Sequence, residues 1–221
     1  DKFGGGPVGV ASLAAAAQGN ANLENLTSRV EIGSFINYLV ANQYTSNWDA
    51  FNKNHYIARD REGSGKWIMA PWDLDRTLGD HWGGAFTTFN LHILLGEAEH
   101  AGITGWNRLF DRFYEHPDLR DRFFRRLTLF LLEELDQEEL FDWIDGIAGA
   151  EARDIDDDRA KWNSDRTGAA WRAGLQAVKQ YVTDRRGFLL DSIPLPLPGK
   201  PSIVSPVSDA EAEGTPVTVV A

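Results

Sequence analysis

Apolar residues recur along this chain at two spacings, and the switch between them outlines the architecture. Between Val30 and Ala41 they fall at Val30, Ile32, Phe35, Ile36, Leu39 and Val40, the spacing of a helix with one buried face. Ser28, with Glu31 three residues later, matches a capping box at its start. The period then shortens to two. Asn54 to Arg59 alternates around Tyr56 and Ala58, Asp60 to Gly65 supplies a glycine- and serine-bearing reversal, and Lys66 to Ala70 returns with Trp67, Ile68 and Met69. Pro71 has no N–H to donate and is expected to stop this ladder.

The segment from Gly79 to Phe89 reads as a loop, and helical spacing takes over beyond it. Leu91 to Leu95 is a short apolar run, and Ile103 to His116 presents Trp106, Leu109, Phe110 and Phe113. Pro117 suits a first helical turn. Leu119, Phe123, Leu127, Phe130, Leu131 and Leu135 then form the strongest amphipathic stripe, with the nearby arginines on its outer flank. Asp136 and Glu139 fit the start of another helix, with Leu140, Trp143, Ile144 and Ile147 expected inside. A last pair of helices is expected over Glu151 to Trp162 and Ala169 to Leu190. The fold class read from this pattern is mainly α with a small β-hairpin, α+β.

The two ends differ in character. Residues 1–27 are rich in Gly and Ala, with a GGG loop at 4–6 and a short helix expected over Ala11 to Gln18. Residues 193–221 open with Pro194, Pro196 and Pro198, a stiff connector, and continue in short β-branched runs. They read as a linker and the start of a β-sandwich-type domain. The expected division is therefore 1–27, 28–192 and 193–221.

Composition narrows the function classes. A chain of 221 residues with 43% hydrophobic residues and eight tryptophans can bury a sizeable core. Its formal net charge of -11 argues against a nucleic-acid partner, because binding the phosphate backbone needs clustered positive charge. That charge is compatible with a nucleotide held through a divalent cation. The absence of cysteine excludes disulfide and thiolate chemistry. No apolar run approaches a membrane span, and Asp1 to Asn20 lacks the basic start of a signal peptide.

Candidate chemistry gathers at the hairpin. A hairpin places residues before its first strand near those after its second, so Asp49 and Asn54 are expected beside Asp73 and Asp75. Phosphoryl transfer needs an aspartate to accept the substrate hydroxyl proton and an amide oxygen to help hold the metal on the phosphates. In protein kinases these stand five residues apart in the catalytic loop. Asp49 and Asn54 keep that spacing with Lys53 between them, although Asn47 and Trp48 replace the usual histidine and arginine. On spacing alone, a loop aspartate capping its own turn is the better account. Asp73 and Asp75, two apart, would face one side of extended backbone and could serve one cation, and Pro71, Trp72 and Leu74 suggest a packed site. DLDRT at 73–77 also fits a dehalogenase-like phosphatase motif. That fold needs alternating strands and helices downstream, where this chain is helical, so the reading is rejected.

Asn47-x-Asp49, Lys53-Asn54-His55-Tyr56, the hairpin with Lys66-Trp67, and Pro71-Trp72-Asp73-Leu74-Asp75 with Gly79 together resemble the CotH family of secreted atypical protein kinases. The likeness runs over roughly residues 28–192. It implies a protein-kinase-like C-terminal lobe that transfers the ATP γ-phosphoryl group to Ser or Thr of a protein substrate with Mg²⁺ or Mn²⁺. By position, Asp49 would be the catalytic base beside Lys53. Asn54 and Asp73 would hold the metal–nucleotide, and Asp75 would be a further ligand or orienter. The family places a β-sheet lobe ahead of this region, and residues 1–27 contain neither that sheet nor a glycine-rich nucleotide loop. The resemblance also implies secretion or display at a cell surface and further domains on the same polypeptide. The alternative is a non-catalytic, kinase-derived structural or docking module of a multidomain surface or coat protein.

The remaining features read plainly. His55, His81, His92, His100 and His116 lack metal-ligand spacing. Trp67, Trp106, Trp143, Trp162 and Trp171 are expected in the core, and Asp154 to Asp158 on a solvated helix face.

Overall fold

The structure is a computed structural model of the chain and describes residues 7–18, 23–47, 50, 53–59, 62–79, 89–90, 107–162, 168–193, 202–203 and 219–220. In order these form α1 (Pro7–Ala17), α2 (Leu23–Thr27), α3 (Ile32–Thr45), β1 (His55–Arg59), β2 (Trp67–Pro71), α4 (Arg108–Glu115) and α5 (Pro117–Leu129). A π-helical turn (Phe130–Glu134), α6 (Gln137–Trp162), α7 (Gly168–Ser192), β3 (Ser202–Ile203) and β4 (Val219–Val220) follow. Helices dominate, with small two-stranded antiparallel sheets, as the periodicity predicts. Leu91–Leu95, Trp106, His81, His92 and His100 lie outside the described residues.

α3 is the centre of the core. Phe35 stacks on Phe113 at 5.1 Å between ring centroids, and Tyr38 stacks on Phe110 at 5.7 Å. Leu119, Phe123, Leu127 and Leu131 are all buried, so the stripe read from the sequence faces inward. α1 adds Leu13 and Ala17 to the same core.

Several expectations are corrected. The N-cap of α3 is Glu31, not Ser28. The Glu31 carboxylate accepts the backbone N–H groups of Gly33 and Ser34, while the Ser28 hydroxyl turns to the Asn25 carbonyl. Glu31 is placed there because 29–31 pairs with Trp67: Trp67 N donates to Arg29 O and Glu31 N donates to Trp67 O, each at 2.8 Å.

Pro71 ends β2 as expected, but as the last paired residue of the ladder rather than just beyond it. It pairs opposite His55, and the next residue's N–H, that of Trp72, donates to Asn54 O at 3.1 Å. Hydrogen-bonded and non-hydrogen-bonded pairs alternate in an antiparallel ribbon, so Pro71 falls where no N–H is required.

α6 is one helix of 26 residues rather than two, since Gly146 and Gly149 sit within it without ending it. None of its residues is buried; Trp143 is 71% exposed and Trp162 68%, so neither is a core tryptophan. Among the described residues its packing partner is α7, itself a surface helix over this stretch, which covers one side of α6.

Candidate functional site

The hairpin is two-faced. Trp67 and Met69 are buried on one side, where Met69 N donates to the Ser34 hydroxyl and that hydroxyl donates to Met69 O. The side bearing Tyr56, Ile68 and Trp72 is open, with the Tyr56 and Trp72 rings 5.3 Å apart at 64°. This fixes the hairpin to α3 by its inner face and leaves its far end, where β1 begins and β2 finishes, projecting beside the loops 46–54 and 72–79.

At that end the structure brings Asn54 and Asp73 together through the backbone, because the Trp72–Asn54 bond is the last rung of the ladder. Lys53 is exposed immediately before it. Asp49 lies outside the described residues, but its neighbour Ala50 is fully buried and firmly held. The Tyr38 hydroxyl donates to Ala50 O at 2.8 Å, and His55 Nδ1 lies 2.9 Å from the carbonyls of both Ala50 and Lys53. The His55 ring meets Tyr38 and Phe110 edge-on. Burial pushes the Tyr38 hydroxyl well above the ordinary tyrosine range, so it stays a donor. Tyr38 and His55 therefore hold Ala50 between them, and His55 holds Lys53 as well, a role that neither spacing nor composition signals.

The start of the same loop is set by the C-terminus of α3. Its last carbonyls are all engaged. Asn42 O accepts Ser46 and Asn47 N–H, Thr45 O accepts Leu78 N–H at 2.7 Å, and the buried Arg185 of α7 donates to Gln43 O and Tyr44 O. Arg185 also donates to Phe89 O at 2.6 Å and lies over the Phe188 ring. Burial pulls its guanidinium down to about 10, so it remains a cation at neutral pH, at the negative end of the α3 dipole. The Tyr181 and Ser46 hydroxyls are hydrogen-bonded beside it. The Thr45–Leu78 bond ties the loop after the hairpin to the loop before it.

The backbone here is strained. The non-glycine residues with positive φ among the described residues are Ser46, Asn54, Asp73 and Leu78, between 53° and 57°. All four lie in the loops at this one end of the hairpin. Such conformations cost about 1–3 kcal/mol each and persist only where the surroundings impose them. Asn and Asp tolerate the left-handed region best, so residues 54 and 73 suit the turns they occupy.

Two expectations about the carboxylates change. Asp73 is left-handed rather than extended, so strand alternation does not set its direction relative to Asp75. The block is also open rather than packed, with Trp72 58% and Leu74 49% exposed and both aspartates at the surface. Asp75 has Arg76 beside it at 3.7 Å, a solvent-screened pair. Among the described residues no group of three or more His, Asp or Glu side chains could hold a metal by itself.

Comparison with known proteins gives the family of the chain. The sequence profile described as CotH kinase protein matches residues 10–189, from within α1 to near the end of α7. The chain belongs to the CotH kinase protein family. It is also similar to Inner spore coat protein H of Bacillus subtilis (strain 168), 28% identical over 116 residues, covering 50% of this chain and 29% of that protein. The matched stretch is thus less than a third of that relative's length. The CotH match takes in all three anchors of the loops: α3, the hairpin and Arg185.

Proposed function

We propose that this CotH-family chain is a protein-kinase-like C-terminal lobe serving ATP-dependent phosphoryl transfer to Ser or Thr hydroxyls of a protein substrate, with Mg²⁺ or Mn²⁺. The observation that carries this reading is the Trp72–Asn54 backbone bond, which holds Asn54, five residues after Asp49 in the sequence, beside the start of the Asp73–Asp75 block. Asp49 would take the hydroxyl proton as the substrate oxygen bonds to the γ-phosphorus and the bond to the leaving ADP oxygen breaks. Lys53 would contribute positive charge beside the transferring group. Asn54, Asp73 and Asp75 would hold the cation, which, when bound, neutralises charge on the phosphates.

The test is calorimetric titration of Mn²⁺ into the chain, with and without ATP, repeated on Asp73→Asn. ATP-dependent Mn²⁺ binding that Asp73→Asn abolishes supports the reading. Absence of any ATP-dependent Mn²⁺ binding refutes it.

A second reading, a structural or docking module of a coat or surface assembly, draws on the relative's name as an inner spore coat protein and on the open, sparsely liganded acidic block. Association with a coat or surface belongs to either reading. No helix among the described residues is long and apolar enough to cross a membrane.

A further inference from the structure

α6 is ~39 Å long at 1.5 Å per residue, and α7 covers one side of it. Phe141, Ile144, Ala148, Ala152 and Ile155 are partly buried on that side, and Lys179 of α7 bonds to Asp145 and lies over the Phe141 ring. The opposite side carries Trp143 and, one turn on, Ile147, 71% and 45% exposed. Asp154 and Asp158 lie on the same side further along, while Trp162, 68% exposed at the end of the helix, stands about 100° round from Trp143. Among the described residues α6 is paired on one side only, and a helix that keeps an exposed Trp143 and Ile147 on the other has a face suited to a second helix.

The charge of the helix selects the occupant. α6 holds nine acidic side chains, Glu138, Glu139, Asp142, Asp145, Glu151, Asp154, Asp156, Asp157 and Asp158, against Arg153, Arg159 and Lys161. A second copy would set acid against acid, and anionic lipid or nucleic acid would be repelled. Lys161, 4.6 Å from the centroid of the Trp162 ring, shows an ammonium already seated on one of these indoles.

We propose that the Trp143–Ile147 face of α6 is a docking surface for a lysine- or arginine-rich amphipathic helix of a partner protein. Its apolar stripe would cover Trp143 and Ile147 while its basic flanks meet Glu139, Glu151, Asp154 and Asp158. This interaction does not depend on phosphoryl transfer.

The test is fluorescence anisotropy with a labelled synthetic helix of Leu and Lys at amphipathic spacing, about 20 residues long. A Leu/Glu twin and oligolysine of the same length serve as comparisons. The full chain should bind the Leu/Lys helix with a blue shift of its tryptophan emission. Trp143→Ala combined with Ile147→Ser should weaken binding by about tenfold or more without changing the circular dichroism spectrum, since both side chains are exposed. Equal affinity for the Leu/Glu twin, or oligolysine binding as tightly with the double variant unaffected, would overturn the proposal. So would a dimer in solution that Trp143→Ala dissolves, which would make a second copy the occupant.

Discussion

Replacing Arg185 with Met keeps most of the side-chain volume and removes every donor. Three carbonyls, those of Gln43, Tyr44 and Phe89, then lose their guanidinium partner in a site where Arg185 itself is 0% exposed. An unmet buried carbonyl costs about 1–3 kcal/mol, and removing a buried charge returns several kcal/mol of desolvation. The balance is a loss of about 2–4 kcal/mol, a large share of the 5–15 kcal/mol typical of a domain. Arg185→Lys should fall between, because one ammonium cannot reach three divergent carbonyls. Urea unfolding at neutral pH gives the global figure. Amide hydrogen exchange at Ser46 and Asn47 gives the local one, since both N–H groups bond to the α3 terminus and should lose protection. A loss below about 0.5 kcal/mol, within the range of surface substitutions, or Met proving more stable than Lys, would refute the account of α3 as a helix capped by a buried cation.

Three further outcomes follow from the same geometry. Glu31→Ala removes the cap that holds Gly33 and Ser34, and should cost about 1 kcal/mol in urea unfolding. His55→Phe keeps the ring contacts but drops the bonds to Ala50 and Lys53. It should cost about 1 kcal/mol and weaken ATP-dependent Mn²⁺ binding in the same calorimetric assay. Alkaline pH should destabilise the fold through Tyr38 and Tyr44, whose hydroxyls burial holds above the unfolded tyrosine value of about 10. Their contribution is complete below that value and is lost as pH rises through the folded one. Arg185, lowered to about 10, acts in the opposite sense over the same range. The decisive quantity is therefore the smaller loss between pH 9 and pH 11 in Tyr38→Phe than in wild type.

The elements of this protein were written in local pattern, because burying one face of a helix or strand imposes a period on its own residues. That is why α3, the hairpin and the α4–α5 stripe were legible, and why the hairpin alone predicted that Asn54 and Asp73 would meet. α6 misled the same reasoning: Leu140, Trp143, Ile144 and Ile147 have core spacing, yet spacing cannot say whether a neighbour arrives to cover them, and on the Trp143 side none of the described elements does. The support of the candidate site was likewise invisible. Tyr38, Phe110, Tyr181 and Arg185 reach the loop from up to 139 residues away from Ser46, through hydrogen bonds and ring contacts that leave no periodic trace. The sequence by itself determined which segments coil, which pair, and where the acidic block sits. Only the tertiary structure decided that a buried arginine ends α3, that left-handed turns shape the loops, and that one helix keeps its aromatic face to solvent. Those outcomes depend on which distant groups fill the space, and that is settled by packing.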